Sequence, residues 1–280
     1  MVSSVFSHAE LIQAAQDLPA APRLLVELGQ AIRNPWIHSD EVTALLRQDA
    51  ALVARLIRMA NSAVYARVRP VGSIEEALAC IGFREVHRLV GVVAAANLAK
   101  DRLKLYGVEG GRLRENSLLV AVFMEELADV AREDPRSCYT VGLLRSVGKM
   151  ALDRLGGEQG TTPSFAESGE TELDVWEQKS WGVTNCQAAE QILLHWRLPR
   201  ETVIAIRDHY HPANLHNPVI HLLNLAAGAA ERDHAGLPGE EGYWKFLTGN
   251  YVKAGLNMHH FPEVIERARR TYQRLHSVVG

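Results

Sequence analysis

Arg145 and Lys149 stand four residues apart in the stretch GLLRSVGKM, Gly142 to Met150. At that spacing on a helix the two side chains share one face. Two chemistries are open to such a pair. In one, the permanently protonated guanidinium and the ammonium together hold an anion such as a nucleotide phosphate. In the other, Arg145 pairs with a nearby carboxylate and Lys149 is a solvated remnant; this is the more ordinary fate of an arginine in a folded chain. His209, His211, His216 and His221 raise a metal question, because neutral imidazoles ligate transition metals. Their spacings match no compact ligand pattern and few carboxylates flank them, so they are expected to be helix-end and surface histidines. The neighbours His259 and His260 lie in a loop-like stretch and make a weaker pair still.

The elements that must carry these residues read as helices, and no sustained strand-type alternation is found. Ser39 is placed as an N-cap, with Asp40 and Glu41 in a first turn that favours negative charge. Asp49 caps the next helix, DAALVARLIRMANSA, with Leu52, Val53, Leu56, Ile57 and Ala60 inward, and Asn61 suits its C-terminal end. Ser73 and Glu76 form a capping box, and Gly82 stops that short helix. FREVHRLVGVVAAANLAK is apolar nearly all round past Val86, as a helix buried on most faces is.

YGVEGG, Tyr106 to Gly111, is the best boundary, giving units of 1–106 and 107–280. The second half opens with NSLLVAVFMEELADVA, breaks near Asp134–Pro135 and resumes as CYTVGLLRSVGKMALDRL. GGEQGTTPSFAESGE reads as a loop, and ELDVWEQKSW as the next helix. Thr184 and Gln187 make another capping box, RETVIAIRDHYH starts beyond Pro199, and Pro218 sits in the first turn of NPVIHLLNLAAGAAERDH. From Gly239 the pattern weakens until EVIERARRTYQRLHSV, a closing helix with a basic, solvated outer face.

The bulk numbers bound the function. With 280 residues, 47% hydrophobic and 22% charged, the chain is long enough for a sizeable core and has an ordinary globular balance. A formal charge of −3 gives no basic field for nucleic acid or an anionic membrane, and the basic run ERARRTYQRLH does not change that. The apolar run LVGVVAAANLA is too short to span a bilayer. Cys80, Cys138 and Cys186 are scattered and odd in number, and MVSSVFSHAE carries no signal-peptide pattern; a cytoplasmic location is the expectation. Trp176, Trp181 and Trp196 are core candidates, with Trp181 the exception to watch because a loop follows it.

Several phrases, in order over roughly residues 11 to 230, resemble the HDOD domain, an output-domain relative of the HD phosphohydrolases. LPAAPRLLVEL resembles its opening segment. QDAALVARLIRMANSAVYA is the most specific match, carrying Asp49, Asn61, Ser62 and Tyr65 together. GSIEEALACIGFREVHRLV, GLLRSVGKMAL, LLHWRLPRETVIAIRDHYHP and IHLLNLA follow. The resemblance implies an all-α, two-lobed fold, an N-terminal helical lobe against an HD-like lobe, and a regulatory role in bacterial signalling. It also opens a second reading of Asn61 and Ser62, as a recognition surface between the lobes beside the structural reading of a helix cap.

HD hydrolases hold one or two metal ions on His and Asp. Carried over where the motifs match, the early His falls on Asn116, the His-Asp pair on Arg145 and Ser146, the later His on Asn185, the His-His pair on His209 and Tyr210, and the last Asp on Asn224. One imidazole and no carboxylate remain. A unit-charge pair about 4 Å apart is worth about 4 kcal/mol at an effective dielectric of about 20, so Arg145 against a dication is repulsive by roughly 8 kcal/mol. The hydrolase site is therefore expected to be absent: no catalytic residue, no metal and no cofactor. The expected role is non-catalytic regulation through contacts with signalling proteins, tuned by a small anionic ligand in the degenerate pocket that includes Lys149. A phosphohydrolase with a rearranged site and a nucleotide sensor that does not hydrolyse are the alternatives.

Overall fold

The computed structural model describes residues 6–16, 18, 21–34, 36–62, 70–98, 102–212 and 216–279. Tyr65 lies outside the described residues. The elements are α1 (His8–Gln16), α2 (Ala21–Ile32), α3 (Ser39–Leu46), α4 (Ala50–Ala60), α5 (Ile74–Leu98), α6 (Gly110–Ala131), α7 (Pro135–Leu144), α8 (Val147–Gln159), α9 (Phe165–Ser168), α10 (Leu173–Trp181), α11 (Asn185–His195), α12 (Arg200–Asp208), α13 (Pro218–Arg232), α14 (Thr248–Lys253) and α15 (Phe261–Val279). The fold is all-α, and among the described residues there is no strand beyond an isolated bridge between Leu103 and Val108.

Local chemistry sets most helix starts. Asp49 Oδ1 accepts from the Leu52 amide at 2.9 Å. The Asp134 and Asn217 side chains cap α7 and α13, each followed by a proline whose missing N–H costs nothing there. Thr184 and Gln187 close a reciprocal capping box on α11. Two expectations shift. His38, not Ser39, is the N-cap of α3. Ser73 does cap through the Glu76 amide, but Glu76 Oε2 reaches back to the Gly72 amide. Gly82, at φ 77°, does end the short helix as expected, and a second helical part runs on from it to Leu98.

The second part of α5 is the central helix. Val86 to Ala95 are all buried, including His87 and Arg88. Arg88 is matched by Glu125 at 2.6 Å, Glu85 at 3.2 Å and Glu126 at 3.4 Å. α15 lies over the same acids. Arg267 pairs with Glu126 at 2.7 Å, Arg274 with Glu85 at 3.4 Å, and Arg269 with Asp233 and Glu266. The face expected to be basic and solvated is thus largely matched by carboxylates.

One apolar core runs from α1 and α2 through α4 to α8 and on to α11–α15. A second, aromatic cluster gathers Phe6, Tyr106, Trp176, Trp181, Tyr210 and Tyr243. Trp181 belongs to it fully, with Trp176 4.8 Å away, so the loop that follows does not expose it. α1 packs on α8 and α11.

The run CYTVGLLRSVGKMALDRL is not one helix. It breaks at Arg145–Ser146 because its halves pack on different partners, α7 on α6 and α8 on α11. Glycine makes both approaches feasible. A Cβ on Gly142 would meet the Ala121 Cα at 2.7 Å, and one on Gly148 the Asn185 carbonyl oxygen at 1.9 Å. α8 itself extends to Gln159, and Phe165–Ser168 adds a turn of helix where a loop was expected.

Candidate functional site

The break between α7 and α8 turns Arg145 inward, and the first turn of α8 turns Lys149 the same way. Each is 1–2% exposed, so Lys149 is not the solvated remnant one reading made it. Both meet a residue the sequence reading did not single out. Arg145 Nη1 donates to Glu240 Oε1 at 2.9 Å, and the Lys149 ammonium donates to the same oxygen. The Tyr210 hydroxyl donates to it as well, at 2.7 Å. Arg145 Nη2 donates to Asn116 Oδ1 at 2.6 Å, and Asn116 Nδ2 to the Ala235 carbonyl at 2.7 Å.

Glu240 arrives on the segment between α13 and α14. Gly239, at φ 80°, takes the left-handed backbone that sets Glu240 inward. A single 3₁₀ turn, Glu241–Tyr243, follows. Tyr243 stacks on Tyr210 with centroids 4.2 Å apart at 7°, and Trp244 lies 5.6 Å from the Arg145 guanidinium carbon. Asn224 ties this segment down. Its amide nitrogen donates to the His209 and Tyr243 carbonyls, each at 2.9 Å, and its oxygen accepts from the Lys245 amide at 3.0 Å.

A second buried acid lies on the other side. Glu177 Oε2 accepts from the Asn185 amide and side chain at 2.7 and 3.0 Å, and Oε1 accepts from the Tyr106 hydroxyl at 2.7 Å. Cys186 Sγ lies 4.0 Å from His209 Nδ1. That nitrogen donates to the Ile206 carbonyl at 2.7 Å, leaving Nε2 buried without a partner. Asn116, Arg145, Lys149, Asn185, His209, Tyr210 and Asn224 therefore fall in one linked network, and Ser146 beside them has a buried, unpartnered Oγ.

The charges are settled within the site. Burial alone would raise the Glu240 carboxyl, but Arg145 and Lys149 outweigh it and hold the group well below the usual carboxylate range. Burial pushes Glu177 up to about 7 against the pull of Lys149 and its hydrogen bonds. Burial, then Arg145, lowers His209 to about 3, so its imidazole is neutral.

This donor set does not fit a divalent metal. Where several imidazoles and carboxylates would be needed stand amides, a hydroxyl, a phenol, two cations and a single imidazole. Glu240 Oε1 is taken by those cations and Tyr210, and its buried Oε2, without a hydrogen-bond partner, sits in the field of the same two cations. Among the described residues no group of three or more His, Cys, Asp or Glu converges as a metal site.

The remaining candidates lie elsewhere. Of the four clustered histidines, His209 and His221 are buried rather than at the surface. His221 Nδ1 bonds Asn250, His211 is exposed and bonds Asp174 at 3.0 Å, and His216 is exposed; they do not come together. Asn61 caps the end of α4 with φ −89°, outside the left-handed region, and its side chain grips Val71, donating to the carbonyl at 2.9 Å and accepting from the amide at 2.7 Å. Ser62 Oγ beside it has no partner. Glu177 had a sequence signal: Leu173, Glu177 and Trp181 fall on one helix stripe, an acid among buried residues. Glu240 had none, since Glu241 beside it is exposed.

Comparison with known proteins gives a consistent picture. The family model of the HDOD domain matches residues 18–212. An uncharacterized protein of Treponema pallidum (strain Nichols) is 23% identical over 235 residues, covering 78% of this chain and 43% of that protein, so this chain spans less than half of that relative's length. Among solved structures, an HDOD domain protein of unknown function from Geobacter sulfurreducens superposes with a TM-score of 0.71 at 20% identity, covering 95% of this chain and 96% of that one. A "putative signal transduction protein" from Marinobacter aquaeolei VT8 gives 0.68 at 22%, covering 98% and 66%. A "putative phosphohydrolase" from Shewanella amazonensis SB2B gives 0.65 at 20%, covering 97% and 98%. At these identities the likeness is one of fold, which leaves function to be argued from the site.

Proposed function

This chain belongs to the HDOD domain family, and from that premise we propose that it is a non-catalytic regulatory protein that acts by contacting signalling proteins. The observation that carries this reading is the Arg145–Glu240–Lys149 cluster. The position where a hydrolase would hold a dication holds two cations of the chain's own, closed over by its own carboxylate. An outward feature supports the contact role. Trp36, between α2 and α3, is 84% exposed, and a large aromatic left in water is the kind of side chain that anchors interfaces.

The test is metal analysis of the purified full chain with a phosphatase screen on nucleotides and an aryl phosphate. No stoichiometric metal and no turnover are expected. Turnover that disappears on Asn116→Ala or His209→Ala would establish a hydrolase with a rearranged site instead. Capture of partners from the native host with the full chain as bait then identifies the contacts. Trp36→Ala is expected to weaken that capture without changing the melting temperature.

A further inference from the structure

A cavity of about 240 Å³ opens between α4, α5, α6 and α15, away from the Glu240 cluster. Its floor is apolar: Val92, Leu118 and Leu275 are 3%, 7% and 2% exposed. Its rim is cationic. Arg55 on α4 and Arg114 on α6 both line it. On α15 Arg267, Arg269 and Arg274 are matched by Glu126, Asp233 and Glu85. Arg55 and Arg114 have no carboxylate within ion-pair distance among the described residues. Glu115, whose charge bears on Tyr272 of the same rim, is exposed and bonded to Arg112 at 3.4 Å. The Tyr272 and His276 rings lie 6.0 Å apart, tilted by 45°, so this part of the wall is aromatic.

We propose that this cavity is a binding site for a compact apolar anion, a short alkyl or single-ring carboxylate. The apolar floor takes the hydrocarbon and gains from its removal from water, and the two guanidinium groups take the carboxylate through charge-assisted hydrogen bonds. An apolar cation of the same shape meets the same two arginines and is repelled. A neutral analogue fills the floor but leaves both guanidinium groups without an acceptor. The volume suits a short chain or one ring, not a long acyl chain. The site is independent of the Arg145 cluster, so its occupancy does not depend on whether that cluster is catalytic.

The experiment titrates the full chain with octanoate, octylammonium and octanol and reads binding by calorimetry and ligand-observed NMR. Octanoate is expected to bind, with octylammonium weaker by at least about tenfold and octanol between them. Arg114→Glu, at an exposed position, is expected to weaken octanoate by at least about tenfold, and Arg55→Glu to do the same. Ala96→Leu adds bulk from the cavity wall without altering charge and is expected to abolish binding. The proposal is overturned if octanoate does not bind, if octylammonium binds as well, or if charge-reversed variants that melt like the wild type bind octanoate unchanged. The two arginine variants keep the test decisive if Ala96→Leu does not fold.

Discussion

Arg145 and Glu240, 95 residues apart in the chain, meet at 2.9 Å in the interior with each side chain 1% exposed. Burying such a pair is costly, and what makes it tolerable is that the contacts are shared: Lys149 and Tyr210 donate to the same carboxylate oxygen. Removing the acid should therefore cost more than removing the whole set. Glu240→Ala is expected to lose about 3–5 kcal/mol, because two buried cations are left without a counter-charge. Replacing Arg145, Lys149 and Glu240 together by methionine should cost less than Glu240→Ala alone. Urea unfolding of the variants checks both. Equal losses would mean that Arg145 and Lys149 reach water once Glu240 is gone.

The buried titratable groups predict a pH profile with opposed components. His87 and His209 are lowered from 6.5 to about 4 and about 3, chiefly by burial, so they stay neutral in the fold while the unfolded chain takes up protons. Their contribution is present above pH 6.5 and is lost as pH falls through the folded values. Glu177 is raised from 4.5 to about 7, so its contribution is present below pH 4.5 and is lost as pH rises to about 7. Glu177→Gln removes only the second component. Relative to wild type, its stability should climb by about 1.4 kcal/mol per pH unit between those two values and then level off. Denaturant midpoints over that range provide the measurement, and a flat difference would show that Glu177 ionises normally.

Gly148→Ala should be among the most damaging small changes in the chain. The added methyl would lie 1.9 Å from the Asn185 carbonyl oxygen, and backbone cannot swing aside as a side chain can. A loss of at least about 1–3 kcal/mol is expected, with α8 forced off α11. Gly157→Ala, on the same helix with open space around it, should be neutral or stabilising and serves as the control.

Asn61→Ala tests the structural role of the family's most specific segment. It removes both hydrogen bonds to Val71 and leaves that residue's buried amide and carbonyl unmatched, at about 1–3 kcal/mol. If Asn61 served partner recognition alone, the melting temperature would not move.

A chelator gives the simplest check on the donor set. Dialysis of the full chain against EDTA should leave its melting temperature unchanged, since Arg145 and Lys149 already neutralise the Glu240 carboxylate. A drop that added manganese or zinc restores would show a metal bound to the folded chain.

How much of this was legible beforehand depends on how local each signal is. The caps at Asp49, Thr184 and Asn217 sit within three residues of the amides they satisfy, so the helices they start could be read directly. Asn116, Asn185 and Asn224 could be singled out because their flanking phrases resemble the family, and all three are buried in the same network. The break at Arg145–Ser146 could not be read, because it follows from which partner each half packs against. Neither could the burial of Lys149, which depends on an acid 91 residues away. Glu177 was the avoidable miss: it occupies the same helix stripe as Leu173 and Trp181, which are buried.

The match to the family model stops at residue 212, and Glu240 lies beyond it. A fragment cut at the recognised boundary would contain Asn116, Arg145, Lys149, Asn185, His209 and Tyr210, yet would lack the carboxylate that neutralises its two cations. The same holds on the ribosome. Until Glu240 has been synthesised and released, Arg145 has Asn116 and Lys149 has the neighbouring Glu177, but neither has the carboxylate that both share in the finished fold. The practical unit of folding is therefore longer than the unit of likeness, and truncated products should be recognisable to proteases at the α7–α8 break.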